Sequence, residues 1–154
     1  MKKILKAPAK INTFLKITGK ENLTGMHFIE SVMIPVNIFD TISIDDESDK
    51  LLINVEGIKE KIPTENNIIY KAYRVFCETA GVKLRNLSVN IKKDIPVGAG
   101  LGGGSSDAAQ FIKFLNSYYR TEFNMDRLIT ICSAIGSDVP FFLLNSPALV
   151  SGKG

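Results

Sequence analysis

The stretch "PVGAGLGGGSSDAA", residues 96–109, contains five glycines and two serines directly before a segment with helical periodicity. Residues 87–91, "LSVNI", precede it and predict a strand. A strand followed by glycines and a helix N-terminus suits an anion, because the first helical turn has N–H groups without intrahelical partners and a favourable dipole. Glycines also let the backbone approach phosphate oxygens and adopt positive φ. The stretch therefore predicts a phosphate-binding loop.

Three familiar phosphate loops fail to explain this stretch. Gly98, Gly100 and Gly103 fit G-x-G-x-x-G, but Glu122, at the spacing of the required acidic residue, does not end a buried strand. Gly98 and Gly103 also match the ends of a Walker A loop, whose lysine position here holds Gly104. A protein-kinase loop lies between two strands, and no H-R-D or D-F-G motif follows. We therefore expect a loop of another class, with no cation of its own.

Composition restricts the possible partners. The 154 residues are 45% hydrophobic and 23% charged, which is typical of one globular domain. A net charge of +3 is too small to indicate nucleic-acid binding, and no apolar run is long enough to span a membrane. Cys77 and Cys132 show neither a disulfide framework nor metal-ligand spacing. We expect a cytoplasmic protein with a small-molecule substrate and neither nucleic acid nor membrane as partner.

The periodicity predicts strands in the first third of the chain and mainly helices afterwards. We expect strands in two short pieces within 3–17, then at 28–36, 41–44, 51–57, 87–91 and 147–151, with a polar loop at 19–27. We expect helices over about 67–81, 105–119 and 125–135, with Asn124 as an N-cap and Gly81 and Gly136 as C-terminal residues. This order predicts an α+β fold in which helices cover one face of a mixed sheet.

The glycine stretch resembles the phosphate loop of the GHMP small-molecule kinases, P-x-x-x-G-L-G-S/G-S-S/A followed by a helix. The stretches "KAPAKIN", "GMHFIESVM" and "IGSDVPFFL" are similar to three further motifs of that family, in its order and spacing. The resemblance implies a two-layer sandwich with a left-handed βαβ unit. It also implies ATP and Mg²⁺ as cofactors and phosphoryl transfer to an alcohol, with no metal-ligating residue identified.

Within the family, the motifs are most similar to members that phosphorylate the 2-hydroxyl of a cytidyl diphosphate alcohol in non-mevalonate isoprenoid biosynthesis. Two alternatives remain open. One is a GHMP kinase for homoserine, mevalonate or a sugar. The other is an RNA-binding module, since ribosomal and translation-factor domains share the sandwich, although the chain lacks a clear basic patch with interleaved aromatics. The oligomeric state is not predicted.

The resemblance assigns roles to individual residues. Lys10 is expected beside the acceptor hydroxyl as the missing cation, although the residues alone would favour one solvated lysine among many. Asp138 is expected as the general base or orienting group for that hydroxyl. It is also a possible N-cap of the apolar turn "PFFL". The expected nucleotide-binding loop comprises Pro96, Val97, Gly98, Ala99, Gly100, Leu101, Gly102, Gly103, Gly104, Ser105 and Ser106.

Four further positions match the family less specifically. Asn67 and Lys93 correspond to the nucleotide side, although Asn67 also suits a helix cap and Lys93 a solvated strand end. Asn12 and His27 correspond to the substrate side, His27 at the cytosine. The family usually has tyrosine before this histidine, where this chain has Met26.

The resemblance also implies a domain arrangement. Residues 1–154 are expected to form the N-terminal, nucleotide-loop domain, without the second domain of similar size that family members carry. That second domain contributes the third family motif and one wall of the cleft. A cleft with one wall missing orients its reactants poorly, so we expect this piece to be nearly inactive alone.

Overall fold

The described residues form one five-stranded mixed sheet and four helices. The computed structural model describes residues 1–20, 27–58, 62–144 and 146–153. The strands are β1 (Lys2–Lys20), β2 (His27–Asp45), β3 (Leu52–Glu56), β4 (Ser88–Lys92) and β5 (Ala148–Lys153). The helices are α1 (Ile68–Ala80), α2 (Gly103–Tyr118), α3 (Met125–Ile135) and α4 (Phe141–Leu144), with a 3₁₀ turn at Thr64–Asn66.

The sheet has the order β1-β2-β4-β3, and β5 also pairs with β2. Strands β3 and β4 run parallel, and α1 connects them, which makes a βαβ unit. The other pairs are antiparallel, so the sheet is mixed as predicted. Helix α2 packs against β1 and β2, and α1, α3 and α4 pack against α2. The α+β expectation is confirmed.

Two strand predictions are wrong in the same way. Residues 3–17 form part of one long strand, not two short ones, and residues 28–44 belong to one strand as well. Residues 7–10 are all buried, so the alternation that marks a strand with one solvated face disappears there. Shifts in the β1/β2 register at Pro8/Ala9, 12/14 and 17/19 disturb the pattern further.

The helix predictions are confirmed because their ends carry local signals. Asn67 accepts a hydrogen bond from the Ile69 amide, and Gly81 closes α1 in the left-handed conformation at φ 65°. Asn124 caps α3 by accepting from the Arg127 amide at 3.0 Å. The predicted turn "PFFL", residues 140–143, overlaps the short helix α4.

A network of aromatic hydroxyls fixes α1 to the segment that follows it. The Tyr73 hydroxyl accepts a hydrogen bond from the Arg85 amide at 2.8 Å and lies 2.8 Å from the Tyr119 hydroxyl. Tyr119 donates to the Lys83 carbonyl at 2.8 Å, and burial raises the pKa of its phenol. These contacts lie in the helical layer and stabilise the connection between α1 and β4.

Candidate functional site

The loop before α2 forms the floor of a pocket of about 530 Å³. Every residue from Pro96 to Ser105 lines it, together with Lys10, Asn67, Lys93 and Asp138. The structure therefore gathers most of the predicted site residues around one cavity. Ser106 differs from its neighbours, because it is fully buried and its hydroxyl has no partner among the described residues.

Gly102 is the glycine of this loop that packing most clearly requires. It has φ 71° and precedes the first residue of α2. A methyl group at this position would lie 2.7 Å from Cζ of Phe142 and 3.1 Å from Cγ of Lys10. Both the conformation and the space therefore exclude a side chain, and the backbone lies directly against α4 and β1.

The loop presents unpaired amides at the start of α2. The first amide with a backbone acceptor in this helix is Ser106, whose N–H donates to the Gly102 carbonyl at 2.8 Å. The amides of residues 100–105 have no acceptor in the part of the chain that the structure describes. Free N–H groups at a helix N-terminus are the donors that a phosphate group needs.

Lys10 and Asp138 meet beside this loop. The Lys10 ammonium lies 3.4 Å from Oδ2 of Asp138 and donates to Oδ1 of Asn12 at 2.6 Å. The Lys10 side chain is 7% exposed and that of Asp138 30%, so the carboxylate faces the opening of the pocket. A solvated role for Lys10 is therefore wrong, and a buried ammonium is held between two polar partners.

Three hydrogen bonds fix Lys10 and its partner Asn12 in place. The Lys10 amide donates to the Leu101 carbonyl at 2.9 Å, which joins β1 to the loop. Asn12 donates to the hydroxyl of buried Ser31 at 2.5 Å, and Ser31 donates to the Phe14 carbonyl at 2.7 Å. Hydrogen bonds of both its main chain and its side chain thus fix the position of Lys10 relative to the loop.

Part of the pocket lining is aliphatic. It consists of Val55, Ile58, Ile62, Ile68, Ile91 and Ile95, and Asn66 and Asn67 line the same pocket. Asn67 is 5% exposed and its side chain caps α1, so the helix-cap interpretation is confirmed while the residue also lines the cavity. An apolar slot next to a donor-rich loop suits a flat base attached to phosphates.

Lys93 lines the pocket but its ammonium is already engaged. It forms ion pairs with Asp40 and, at 2.7 Å, with Asp107, and its side chain is 8% exposed. Burial lowers the pKa of Lys93, but the two carboxylates outweigh that effect and raise it. The interpretation of Lys93 as a solvated strand end is therefore wrong, and its charge is paired with two buried carboxylates.

Asp40 and Asp107 were not predicted from the sequence. Both are buried, at 0% and 2% exposed, and burial raises the pKa of Asp107 to about 7 against the opposing effect of Lys93. For Asp40, the sequence contained one indication, an aspartate within the apolar run "VNIFDTISI". Asp40 was missed because it fell between two strands that were predicted separately.

Other predicted residues lie outside this cluster. His27 is exposed at the start of β2, where it pairs with Lys20 at the far end of the β1/β2 hairpin from Lys10. Met26 falls outside the described residues. Asp138 accepts no hydrogen bond from α4 among the described contacts, and α4 begins only at Phe141. The capping role expected for Asp138 therefore has no support.

The sandwich, the glycine loop and the Lys10–Asp138 pair are the features that the resemblance led us to expect of a GHMP kinase N-terminal domain. The sequence profile of the GHMP kinases N terminal domain matches residues 67–146. This match covers more than half of the 154 residues, and the chain belongs to the GHMP kinase family.

Within the family, the chain is similar to curated proteins named 4-diphosphocytidyl-2-C-methyl-D-erythritol kinase. It is 42% identical over 147 residues to the one from Fusobacterium nucleatum subsp. nucleatum, which covers 95% of this chain and 50% of that protein. It is 40% identical over 148 residues to the one from Methylacidiphilum infernorum, covering 96% and 51%. The chain thus spans about half the length of the curated relatives it matches.

Solved structures show the same likeness. A crystal structure of 4-(cytidine 5'-diphospho)-2C-methyl-D-erythritol kinase matches with a TM-score of 0.76 and 31% identity, over 97% of this chain and 52% of that one. Streptococcus pneumoniae phosphomevalonate kinase shares the fold with a TM-score of 0.68 at 18% identity, over 98% of this chain and 48% of that one.

The helices of the described residues were also compared with the length and hydropathy that a membrane span needs. None of them meets both requirements.

Proposed function

We propose that this chain is the nucleotide-loop domain of an ATP-dependent kinase that phosphorylates the 2-hydroxyl of 4-diphosphocytidyl-2-C-methyl-D-erythritol. One observation carries the proposal: the unpaired amides of residues 100–105 and the Lys10–Asp138 pair border the same pocket. The names of the relatives supply the substrate. The aliphatic part of the pocket lining would contact the adenine.

The chemistry follows from positions and charges. ATP supplies the γ-phosphoryl group. The amides of residues 100–105 hold the phosphates, and their fixed dipoles need no reorganisation as charge develops. The Lys10 ammonium stabilises negative charge on the alcohol oxygen and the transferred group. Asp138 orients the hydroxyl and accepts its proton, and Asn12 holds the lysine at the reacting centre.

Magnesium is proposed to arrive with the nucleotide. Among the described residues there is no group of three or more His, Cys, Asp or Glu side chains that could hold a metal ion by themselves. Mg²⁺ retains several waters and usually binds through substrate phosphates with one or two carboxylates. We therefore assign no dedicated metal cage to the described part of the chain.

A second domain is part of the proposal. Several large apolar side chains of β1 are exposed, namely Ile4, Ile11, Phe14, Leu15 and Ile17. Because exposed apolar patches mark interaction surfaces, we propose that the remaining half of the enzyme covers part of this strand and completes the cleft. The chain by itself should bind ATP but turn over poorly.

Two measurements test the function. Calorimetry with Mg·ATP on the 154-residue chain tests nucleotide binding. Phosphoryl transfer is then measured on a chimera that joins the chain to the C-terminal half of the Fusobacterium nucleatum kinase, with the cytidyl alcohol, mevalonate, homoserine and a sugar as competing acceptors. Transfer to the cytidyl alcohol is expected. Preference for another acceptor would contradict the substrate, and binding of RNA without ATP would contradict the kinase.

A further inference from the structure

Three charged side chains lie buried beneath the phosphate loop. Asp40 comes from β2, Lys93 from the residue after β4, and Asp107 from the first turns of α2. Their side chains are 0%, 8% and 3% exposed. One lysine thus faces two carboxylates in a region closed to solvent, and none of the three is required by the proposed chemistry.

The Asp40 carboxylate contacts the segment that enters the loop. Its Oδ1 accepts hydrogen bonds from two consecutive amides, Asp94 at 2.7 Å and Ile95 at 2.9 Å. Its Oδ2 accepts from the Lys93 ammonium. A single side chain of a central strand therefore fixes the backbone immediately before Pro96.

The same carboxylate also lies close to the segment that leaves the loop. A methyl group on Gly103, the first residue of α2, would lie 3.1 Å from Asp40 Oδ2. Lys93 extends the connection by donating to Asp107 Oδ2 at 2.7 Å, one turn further along α2. Asp40 of β2 therefore lies next to both the start and the end of the loop.

A buried charge cluster of this kind contributes little to the stability of the folded state. Removing three charges from water costs several kcal/mol per ion, and replacing a buried ion pair or triad by apolar side chains is often neutral or stabilising. What the cluster does provide is a directional connection between a strand, a loop entry and a helix start. Its contacts are short and specific, whereas apolar packing would leave the loop free to shift.

We propose that Asp40 is a positioning residue that holds the phosphate loop in its binding conformation, with Lys93 and Asp107 as its relay to α2. The inference rests on the proposed function, since it concerns the affinity of the loop for ATP. In this role Asp40 contacts no substrate and acts through the backbone of residues 94–95 and 103.

The direction of one substitution separates positioning from electrostatics. Asp40→Asn removes a negative charge close to a triphosphate, so electrostatics alone would make ATP bind more tightly. Under the positioning role, ATP binds more weakly, because the substituted side chain has an NH₂ group that must face either the Lys93 ammonium or the amides at 94–95. We expect the dissociation constant for Mg·ATP to rise about tenfold, which corresponds to about 1.4 kcal/mol.

Matched variants complete the design. Glu30→Gln removes one negative charge from an exposed position of the same strand as Asp40, and it is expected to leave ATP affinity unchanged. Asp107→Asn retains an acceptor for Lys93 and is expected to affect affinity less than Asp40→Asn. Each variant is titrated calorimetrically below its melting temperature, so that a fall in stability alone does not register as a change in affinity.

The outcomes are distinct. Weaker binding by folded Asp40→Asn, but not by Glu30→Gln, supports the positioning role, while equal or tighter binding by Asp40→Asn overturns it. If Asp40→Asn does not fold, amide exchange on the wild-type protein decides. ATP should then slow exchange at Asp94 and Ile95 together with residues 100–105, and unchanged exchange at 94–95 would overturn the inference. A wild-type protein that does not bind ATP at all contradicts the proposed function instead.

Discussion

The Lys10 ammonium lies 3.4 Å from the Asp138 carboxylate, although the two residues belong to opposite ends of the chain. β1 supplies the lysine, and the segment between α3 and α4 supplies the aspartate. This approach brings a cation and a proton acceptor together at the edge of the phosphate loop. It is the relationship on which the proposed transfer step depends.

Lys10→Ala and Asp138→Asn should separate chemistry from nucleotide binding. Each variant removes a group that acts on the alcohol or the transferred phosphoryl, so turnover of the chimera should fall on the order of a hundredfold or more. Affinity for Mg·ATP, measured by calorimetry, should stay close to that of the wild type. Lys6→Ala is the control, because Lys6 lies on the same strand and bonds Thr41 at the surface. A loss of turnover as large in Lys6→Ala would contradict the assignment.

Gly102→Ala should weaken ATP binding as well as stability. Positive φ costs a non-glycine residue about 1–2 kcal/mol, and here the new methyl would also press on Phe142. Gly81→Ala is a matched control, with φ 65° but no atom within 4 Å of the new methyl. Both variants should melt at lower temperature, and only Gly102→Ala should lose ATP affinity in calorimetry. Equal affinities would show that the loop backbone does not contact the nucleotide.

Stability should depend on pH through Asp107. Its pKa in the folded protein is raised from 3.8 to about 7, so the folded state retains a proton that the unfolded state has released. The contribution is therefore complete below about pH 4 and is lost as pH rises through 7, with a slope of at most about 1.4 kcal/mol per pH unit.

Urea unfolding between about pH 5 and pH 8 measures this slope. Asp107→Asn should remove most of the decrease, because the amide has no proton to lose in that range. Asp94→Asn, the half-exposed control, should retain the wild-type slope. A slope that persists unchanged in Asp107→Asn would assign the titration to another group.

Tyr73→Phe should reduce stability without affecting the site. The substitution removes the hydroxyl that accepts from the Arg85 amide and lies against the Tyr119 hydroxyl, and a hydrogen bond contributes about 0.5–1.5 kcal/mol. Tyr70→Phe on the same helix is the control, because the Tyr70 hydroxyl has no partner among the described residues. Chemical denaturation should separate the two variants, and calorimetry should show unchanged ATP affinity in both. A similar loss in both would mean that the hydroxyl network contributes little.

Local patterns predicted the helices and the glycine loop. Asn67, Gly81 and Asn124 act within one turn of the residues they cap, so their effect is visible in the sequence. The long strands were missed because both faces of β1 are covered at residues 7–10, which removes the alternation. Strand continuity depended there on tertiary packing.

The buried charges show a second limit. The partners Asp40 and Lys93 are 53 residues apart in the chain, and no spacing rule connects them. Lys93 alone suggested either a nucleotide contact or a solvated end. Only the placement of β2 next to β4 makes clear that its charge is already balanced. Lys10 and Asp138 were named through family resemblance, and their proximity was visible only after folding.

The hydrogen bond from the Lys10 amide to the Leu101 carbonyl bears on how the site would tolerate change. Under the proposed function, residue 10 directs its amine toward the acceptor alcohol and its main chain toward the loop that binds the nucleotide, so one strand position would fix both reactants. A one-residue deletion upstream in β1 would bring a neighbouring side chain to that position and turn the amine toward the opposite face. Under the proposed function, a change in the position of the acceptor site at Lys10 would therefore also shift the loop that binds the nucleotide.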